Sequence, residues 1–401
     1  MTSTVASPGT HPVSPRDLAW LERELAAWAG EGLVDDTQVA AIRARYRPTH
    51  AFSLATLVLT LGAAFVGVGL IWLVASNLDE LAPLWRFLVV ATFWLLFTLG
   101  AEWLAGRREH GGTIPSPVVG AARLLAALVF GAVVFQAAQS LQVPAYEPKL
   151  VGLWALGALV HAYAVRGLMP LLVGTVGGTV WLVWQAAWDT SNIFAVVLAF
   201  VIGGVIAVAV AVVHRGAYAD FAPPWREAGA LLLLVGLFIA AIPDVDTEGF
   251  DWTWMLVVGC VVAGLAAVAA AAAGRGWARV EPLAAVAVAL LAVGLAVWQP
   301  GSDPDNLNVG DWAHAALAVV SYLLVAAAVA ALGVVHDSWR LTFLATAGIV
   351  VFTTFQSFAV FARILPGATL FVVLGVVFLG TGYLADRGRR QLAVSLEGEE
   401  S

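Results

Sequence analysis

From about residue 53 onward the chain is a succession of apolar runs separated by short polar loops, and no other feature restricts its fold so tightly. A helix needs about 20 apolar residues to cross roughly 30 Å of hydrocarbon, where every backbone N–H and C=O must find a partner within the protein. Twelve runs meet or approach that length: 53–75, 84–104, 118–142, 150–165, 168–188, 193–213, 228–242, 254–273, 282–298, 313–335, 341–362 and 368–385. The fourth, seventh and ninth are short. The expected fold is therefore all-α, a polytopic transmembrane helical bundle of about twelve spans. With 61% apolar residues, 12% charged and a mean hydropathy of +0.89, a water-soluble globule of this size is excluded.

Loop charge sets the expected orientation, because translocated loops are depleted in Lys and Arg while cytoplasmic ones are enriched. With the amino terminus inside, seventeen of the twenty basic residues fall on the cytoplasmic side, and only Arg86, Lys149 and Arg363 fall outside. Omitting any one short span would move several arginines across, so the charge pattern favours twelve crossings with both termini in the cytoplasm. Nineteen of the twenty are Arg, which, with abundant Ala, Gly and Val, suggests a high-GC bacterial genome and a prokaryotic cytoplasmic membrane. Trp85, Trp103, Trp154, Trp188, Trp225, Trp252, Trp254, Trp277, Trp298, Trp312 and Trp339 lie near span ends and read as an interfacial anchoring belt.

The first 50 residues differ in composition from the rest. Residues 1–13, rich in Ser, Thr and Pro, read as a disordered tail without the pattern of a cleavable signal peptide. Residues 14–48 read as a cytosolic helical hairpin. Ser14 caps a first helix that opens on Pro15 and aligns Leu18, Leu21, Leu25 and Trp28, with Gly30 or Gly32 ending it. Asp35 with Gln38 makes a capping box for a second helix carrying Val39, Ile42 and Tyr46, and Pro48 closes it. Such a unit is too small for its own core, so its apolar stripe should pack on itself, on the membrane surface or on another copy in a homo-oligomer. Residues 51–385 form the transmembrane domain and 386–401 a cytosolic tail.

A net charge of −7 without a basic patch excludes nucleic acid as a partner, which leaves the lipid bilayer and a second copy. The single Cys260 rules out an intramolecular disulfide and a Cys-rich zinc site. The seven histidines have no metal-ligand spacing, and no nucleotide-binding loop, nucleophile elbow or zinc-protease motif occurs. No metal, no cofactor and no catalytic step are expected, so the chain reads as a non-enzyme. His161, near the cytoplasmic end of span four, reads as a satisfied or snorkelling residue rather than a proton relay, and Glu102 is at the foot of span two beside Arg107 and Arg108. With no acid deep in a span, a proton-coupled pump is disfavoured.

Amide and hydroxyl groups remain, concentrated in the outer half. Gln136 and Gln139 in span three, Gln185 in span five and Gln356 in span eleven are the candidate lining of a polar, outward-open vestibule for a small polar solute or headgroup. Interhelical hydrogen bonds would use the same groups. Asn77, Asp79 and Glu80 form a polar outer turn before Pro83 that fits either ligand binding or ordinary turn chemistry. Gly174 and Gly178 signal close helix packing in span five. The expected role is transport or a channel for a small polar solute or lipid, with a membrane sensor or assembly scaffold acting through the hairpin as the alternative.

Three stretches carry a family resemblance. Residues 21–46 read LERELAAWAGEGLVDDTQVAAIRARY. Over 61–81 a glycine-studded span runs into Ala75, Ser76, Asn77, Leu78, Asp79 and Glu80. Residues 130–139 are followed by Leu153, Trp154, Ala155, Leu156, Gly157, Ala158 and Leu159. Together these resemble the prokaryotic predicted membrane proteins grouped as domain of unknown function 2157. The chain departs from that pattern at Ala138-Gln139-Ser140-Leu141-Gln142, where the family places glycine before a glutamine. The resemblance implies a membrane fold and location, and it lends no activity.

Overall fold

The computed structural model describes residues 11–13, 15–48, 54–77, 82–111, 114–242, 245, 247–298 and 309–360, with 372, 375 and 380. At the amino end, α1 (Pro15–Gly30) is followed by α2 (Asp36–Arg43). The cap of α2 is the one its sequence specifies: Gln38 N–H donates to Asp35 Oδ1 at 2.7 Å and Asp35 N–H donates to Gln38 Oε1 at 3.0 Å. Arg43 reaches back to Glu22 at 2.8 Å. On the α1 stripe Leu25 is buried and Leu18, Leu21 and Trp28 are half-buried; Trp20, elsewhere on α1, and Leu33, in the turn before α2, are exposed. Ser14 lies outside the described residues. Two details differ from expectation. The tail gives its last three residues to β1 (His11–Val13), which pairs in parallel with β2 (Tyr46–Pro48), and α2 ends before Tyr46, which joins the strand instead.

The remaining helices are α3 (Leu54–Asn77), α4 (Pro83–Glu109), α5 (Ser116–Ser140), α6 (Pro148–Val165), α7 (Leu168–Thr190) and α8 (Ile193–Val213). A 3-10 turn (Gly216–Phe221) leads into α9 (Ala222–Ala240), then α10 (Trp254–Ala273), α11 (Trp277–Val297), α12 (Val309–Val335) and α13 (Trp339–Val360). Each of the first eleven apolar runs carries a helix, and the run 368–385 lies almost entirely outside the described residues. Among the described residues nine helices, α4 to α12, are long and apolar enough to cross a membrane.

The helices alternate in direction. At one face Glu102 of α4 meets Arg123 of α5, Tyr163 of α6 meets His214 after α8, and Arg226 of α9 meets Glu281 of α11. At the other, Ser140 donates to the Pro83 carbonyl at 3.4 Å and Asn192 donates to the Glu248 carbonyl at 3.2 Å. α8, which has no polar side chain anywhere along it, sits at the centre against α7, α9, α10 and α11. A helix apolar all round belongs either in a core or in lipid, and here protein covers it. α4 instead leaves Leu84, Leu88, Phe93, Leu95, Leu96 and Leu99 exposed, as a lipid-facing helix would.

Close approach sets the packing at two crossings. A Cβ on Gly229 would meet Val208 at 2.6 Å where α9 crosses α8. Gly174 lies against Leu159, whose backbone nitrogen would be 2.9 Å from an added Cβ. Its expected partner Gly178 meets only Ala155 at 4.0 Å, whereas Gly177 is the closer contact at 3.2 Å. The helix that faces α7 here is α6, so the contact surface follows the turn that points at α6 and not the four-residue spacing.

Trp154 and Trp225 do not join the anchoring belt. Trp154 is two turns inside α6, packs over Gly131 of α5, and donates its indole N–H to the Ala127 carbonyl at 2.8 Å. Trp225 donates to the Tyr163 hydroxyl at 3.1 Å. In both cases the indole N–H has a protein acceptor, so it has no need of the headgroup layer. Trp85, Trp103, Trp188, Trp252, Trp254, Trp277, Trp298, Trp312 and Trp339 are exposed.

Candidate functional site

Two of the runs that looked short are not short as helices. α9 starts at Ala222 instead of 228 and α11 at Trp277 instead of 282, because their first turns carry Arg226, Glu227, Arg279 and Glu281, which a hydropathy count excludes. The structure pairs these charges. Arg226 Nε–H donates to Glu281 Oε2 at 2.8 Å, and His336, just past α12, donates from Nε2 to Glu281 Oε1 at 2.7 Å. The Glu281 side chain is 2% exposed and that of Arg226 11%, so the pair is inside the protein. A buried carboxylate is tolerable only when its oxygens are hydrogen-bonded, and both are.

Beside this triad Glu227 accepts from Ser338 Oγ and from Arg340 Nη1, each at 3.3 Å, which ties α9 to the start of α13. Between the 3-10 turn, α9 and the α12–α13 connection lies a cavity of about 300 Å³ whose wall includes His214, Ala219, Arg226, Glu227, His336 and Ser338. His214 is fully engaged. Its Nδ1 faces the Val210 carbonyl, which can only accept, so Nδ1 carries a proton, and its Nε2 is 2.9 Å from the Tyr163 hydroxyl. Tyr218 donates to the Tyr163 carbonyl at 3.2 Å, and Phe221 meets the Tyr163 ring edge-on at 5.3 Å.

A second group of the same three residue types stands at the same face. Arg123 grips Glu102 with two parallel bonds, Nε to Oε1 at 2.8 Å and Nη2 to Oε2 at 2.7 Å. His161 Nε2 is 4.0 Å from Glu102 Oε1 and has no hydrogen-bond partner among the described residues. His161 and Glu102 therefore belong to one ionic group joining α4, α5 and α6, a role not assigned to either from sequence.

The glutamines expected to line a vestibule are not gathered. Gln136 is buried on α5 while Gln139, three residues on, is exposed. Gln185 of α7 is buried, donates to Asp189 Oδ1 at 2.8 Å, and keeps its Oε1 unpartnered. Gln356 is 3% exposed on α13, and neither of its amide atoms has a hydrogen-bond partner among the described residues. α13 packs chiefly against α12 and α9, whereas α5 packs against α3, α4, α6 and α7, so Gln356 stands apart from the other three. Of the outer turn, Asp79 and Glu80 lie outside the described residues, and Asn77 is known only as the last residue of α3. Among the described residues no group of three His, Cys, Asp or Glu could hold a metal ion.

Sequence reasoning missed the Arg226, Glu281 and His336 triad, although it left a trace in the two apolar runs that were too short. Apolar helices laced at their ends by ion pairs define a helical membrane protein. Residues 26–171 match the family described as a predicted membrane protein, domain of unknown function 2157. That stretch runs from α1 into α7, so it contains the Glu102, Arg123 and His161 group but not the second triad or its cavity. No curated protein and no solved structure matches the chain.

Proposed function

We propose that the protein is a twelve-span component of a prokaryotic cytoplasmic membrane, with both termini in the cytoplasm, that passes a small polar solute or a lipid through its bundle. Gln356 carries this reading. Leaving a buried polar group without a partner costs about 1–3 kcal/mol, and among the described residues Gln356 finds none for either amide atom. A glutamine kept only for packing would be hydrogen-bonded to a neighbouring helix; one completed by a passing solute or by water would not. Gln185, with its unpartnered Oε1, is the second such position. The reading needs no catalytic step and no cofactor.

Proteoliposomes test it with three probes: shrinkage and reswelling under glycerol and urea gradients, and dithionite bleaching of a fluorescent phosphatidylcholine to follow lipid movement. Flux of one probe above that of protein-free vesicles, lowered by Gln356→Leu without loss of folding, is the expected result. Equal rates with and without protein for all three would overturn transport, and flux indifferent to Gln356→Leu would overturn the site.

A second reading is favoured by the amino-terminal helices, where Trp20 and Leu33 are exposed and Leu18, Leu21 and Trp28 of the stripe are only half-buried. The cytosolic hairpin would then hold a second copy in a sensor or scaffold. Removing residues 1–48 should change the crosslinked oligomer in membranes; an unaltered pattern would discard this reading.

A further inference from the structure

The cavity at the arginine-bearing face has donors on its wall that the protein does not use. A guanidinium offers five N–H groups. Arg123 spends two nitrogens on Glu102, but Arg226 meets Glu281 through Nε alone, and its Nη1 and Nη2 make no hydrogen bond among the described residues. His336 donates from Nε2 to Glu281, and its Nδ1 has no hydrogen-bond partner among the described residues; that nitrogen donates only when the ring carries both protons and otherwise accepts. The acceptors of the same wall are already taken: Glu281 by Arg226 and His336, Glu227 by Ser338 and Arg340. The wall thus carries a guanidinium whose Nη groups have no partner among the described residues and an imidazole with a free Nδ1, beside a Glu227 carboxylate that is already paired.

We propose that this cavity is an oxyanion site that takes a phosphate group on Arg226 Nη1, Nη2 and His336 Nδ1. A guanidinium edge matches two oxygens of a phosphate in parallel, and the imidazole Nδ1 can meet a third, accepting from a P–O–H or, when the ring carries both protons, donating to the oxygen. At about 300 Å³ the space accommodates a phosphate with a small substituent. It opens at the level of the helix ends, where the phosphates of a bilayer lie, so the group can arrive on a phospholipid or as a soluble phosphate. The site is independent of Gln356 and of the transport reading, since the two lie at opposite ends of α13.

Two variants of the full-length, delipidated protein test the assignment. Ala219→Trp fills the cavity mouth from an exposed position without touching the ionic groups. Arg226→Lys keeps a cation beside Glu281 and withdraws the guanidinium edge. The probes are inorganic phosphate, followed by titration calorimetry at low salt, and bilayer discs of phosphatidylglycerol in phosphatidylcholine, with retained lipid counted by native mass spectrometry. At least a tenfold loss of affinity in both variants is expected for whichever probe binds. Phosphate bound without lipid retention identifies a soluble ligand, and lipid retained without phosphate binding identifies a headgroup. The assignment is overturned if neither probe binds, or if binding survives both substitutions.

Discussion

Arg226 on α9 and Glu281 on α11 stand 2.8 Å apart, Nε to Oε2, each in the part of its helix that precedes the apolar run. Either charge alone would be out of place that far inside a bundle. Together, with His336 on the second carboxylate oxygen, they satisfy each other and bind α9, α11 and α12 at one end.

Breaking this pair should therefore be worse than removing it. Glu281→Ala strands Arg226 and is expected to lower stability by about 3–5 kcal/mol, while the double change Arg226→Met with Glu281→Met recovers most of that loss. Unfolding in mixed micelles measures both. A double variant as unstable as the single would show that the two residues are not energetically coupled.

The other carboxylates of this face should rank below Glu281. Glu227→Gln is expected to lose under about 1 kcal/mol, because its Arg340 partner is half exposed and 3.3 Å away. Glu102→Gln should fall between the two, at about 1–3 kcal/mol, since the two-bond geometry is good but the carboxylate is one-third exposed. The same unfolding assay gives the order, and a larger loss at Glu227 than at Glu281 would contradict it.

Gly174 and Gly178 should respond oppositely to one added methyl group, whose nearest neighbour would be 2.6 Å away at the first and 4.0 Å at the second. Gly174→Ala meets a backbone nitrogen of α6 that cannot swing aside and should lose about 1–3 kcal/mol. Gly178→Ala finds ordinary van der Waals space and should be neutral or gain up to about 1 kcal/mol from the less flexible unfolded chain. Melting temperatures of the two variants, compared in one detergent, decide it.

The cap of α2 should titrate. Hydrogen bonds from the Thr37 side chain and the Gln38 N–H hold the Asp35 carboxyl below its ordinary value of 3.8. A lowered folded-state value means that the stabilisation is present above that ordinary value and is lost as the pH falls through the lowered one. Hydrogen exchange at the Gln38 amide, corrected for its intrinsic rate, should show protection falling below about pH 4 in the native chain. In Asp35→Asn, which caps without titrating, that fall should vanish.

The proposed orientation has a direct reading. In a Cys260→Ser background, a cysteine at Tyr146 should react with a membrane-impermeant maleimide on intact cells, and one at Glu109 only after the membrane is opened. Both positions are exposed, so access to reagent is limited by the membrane alone. The reverse pattern would invert the topology.

Legibility differed from element to element for physical reasons. The runs 193–213 and 254–273 coincide with α8 and α10 because no charged residue lies within those helices. The capping box of Asp35 and Gln38 could be read directly, since both partners lie within one turn. Trp154 could not be separated from the belt tryptophans, because nothing near it in sequence reveals that Gly131 leaves room for an indole on the next helix. Gln136, Gln139, Gln185 and Gln356 are polar groups in apolar helices, but which of them is buried, and beside what, depends on neighbours not adjacent in the chain.

By itself the sequence determined that the chain is a series of apolar helices, because in an apolar medium the backbone must satisfy its own N–H and C=O groups, and it does so with residues four apart. Only the tertiary structure decided which helix ends meet. Arg226 and Glu281 are 55 residues apart, as are Glu281 and His336, and whether a side chain near a membrane surface is a solvated loop charge or half of a buried pair depends on which helices are neighbours. Side-chain partnership is set by packing, and packing in this bundle is governed by small residues and surface shape that carry no charge signal of their own.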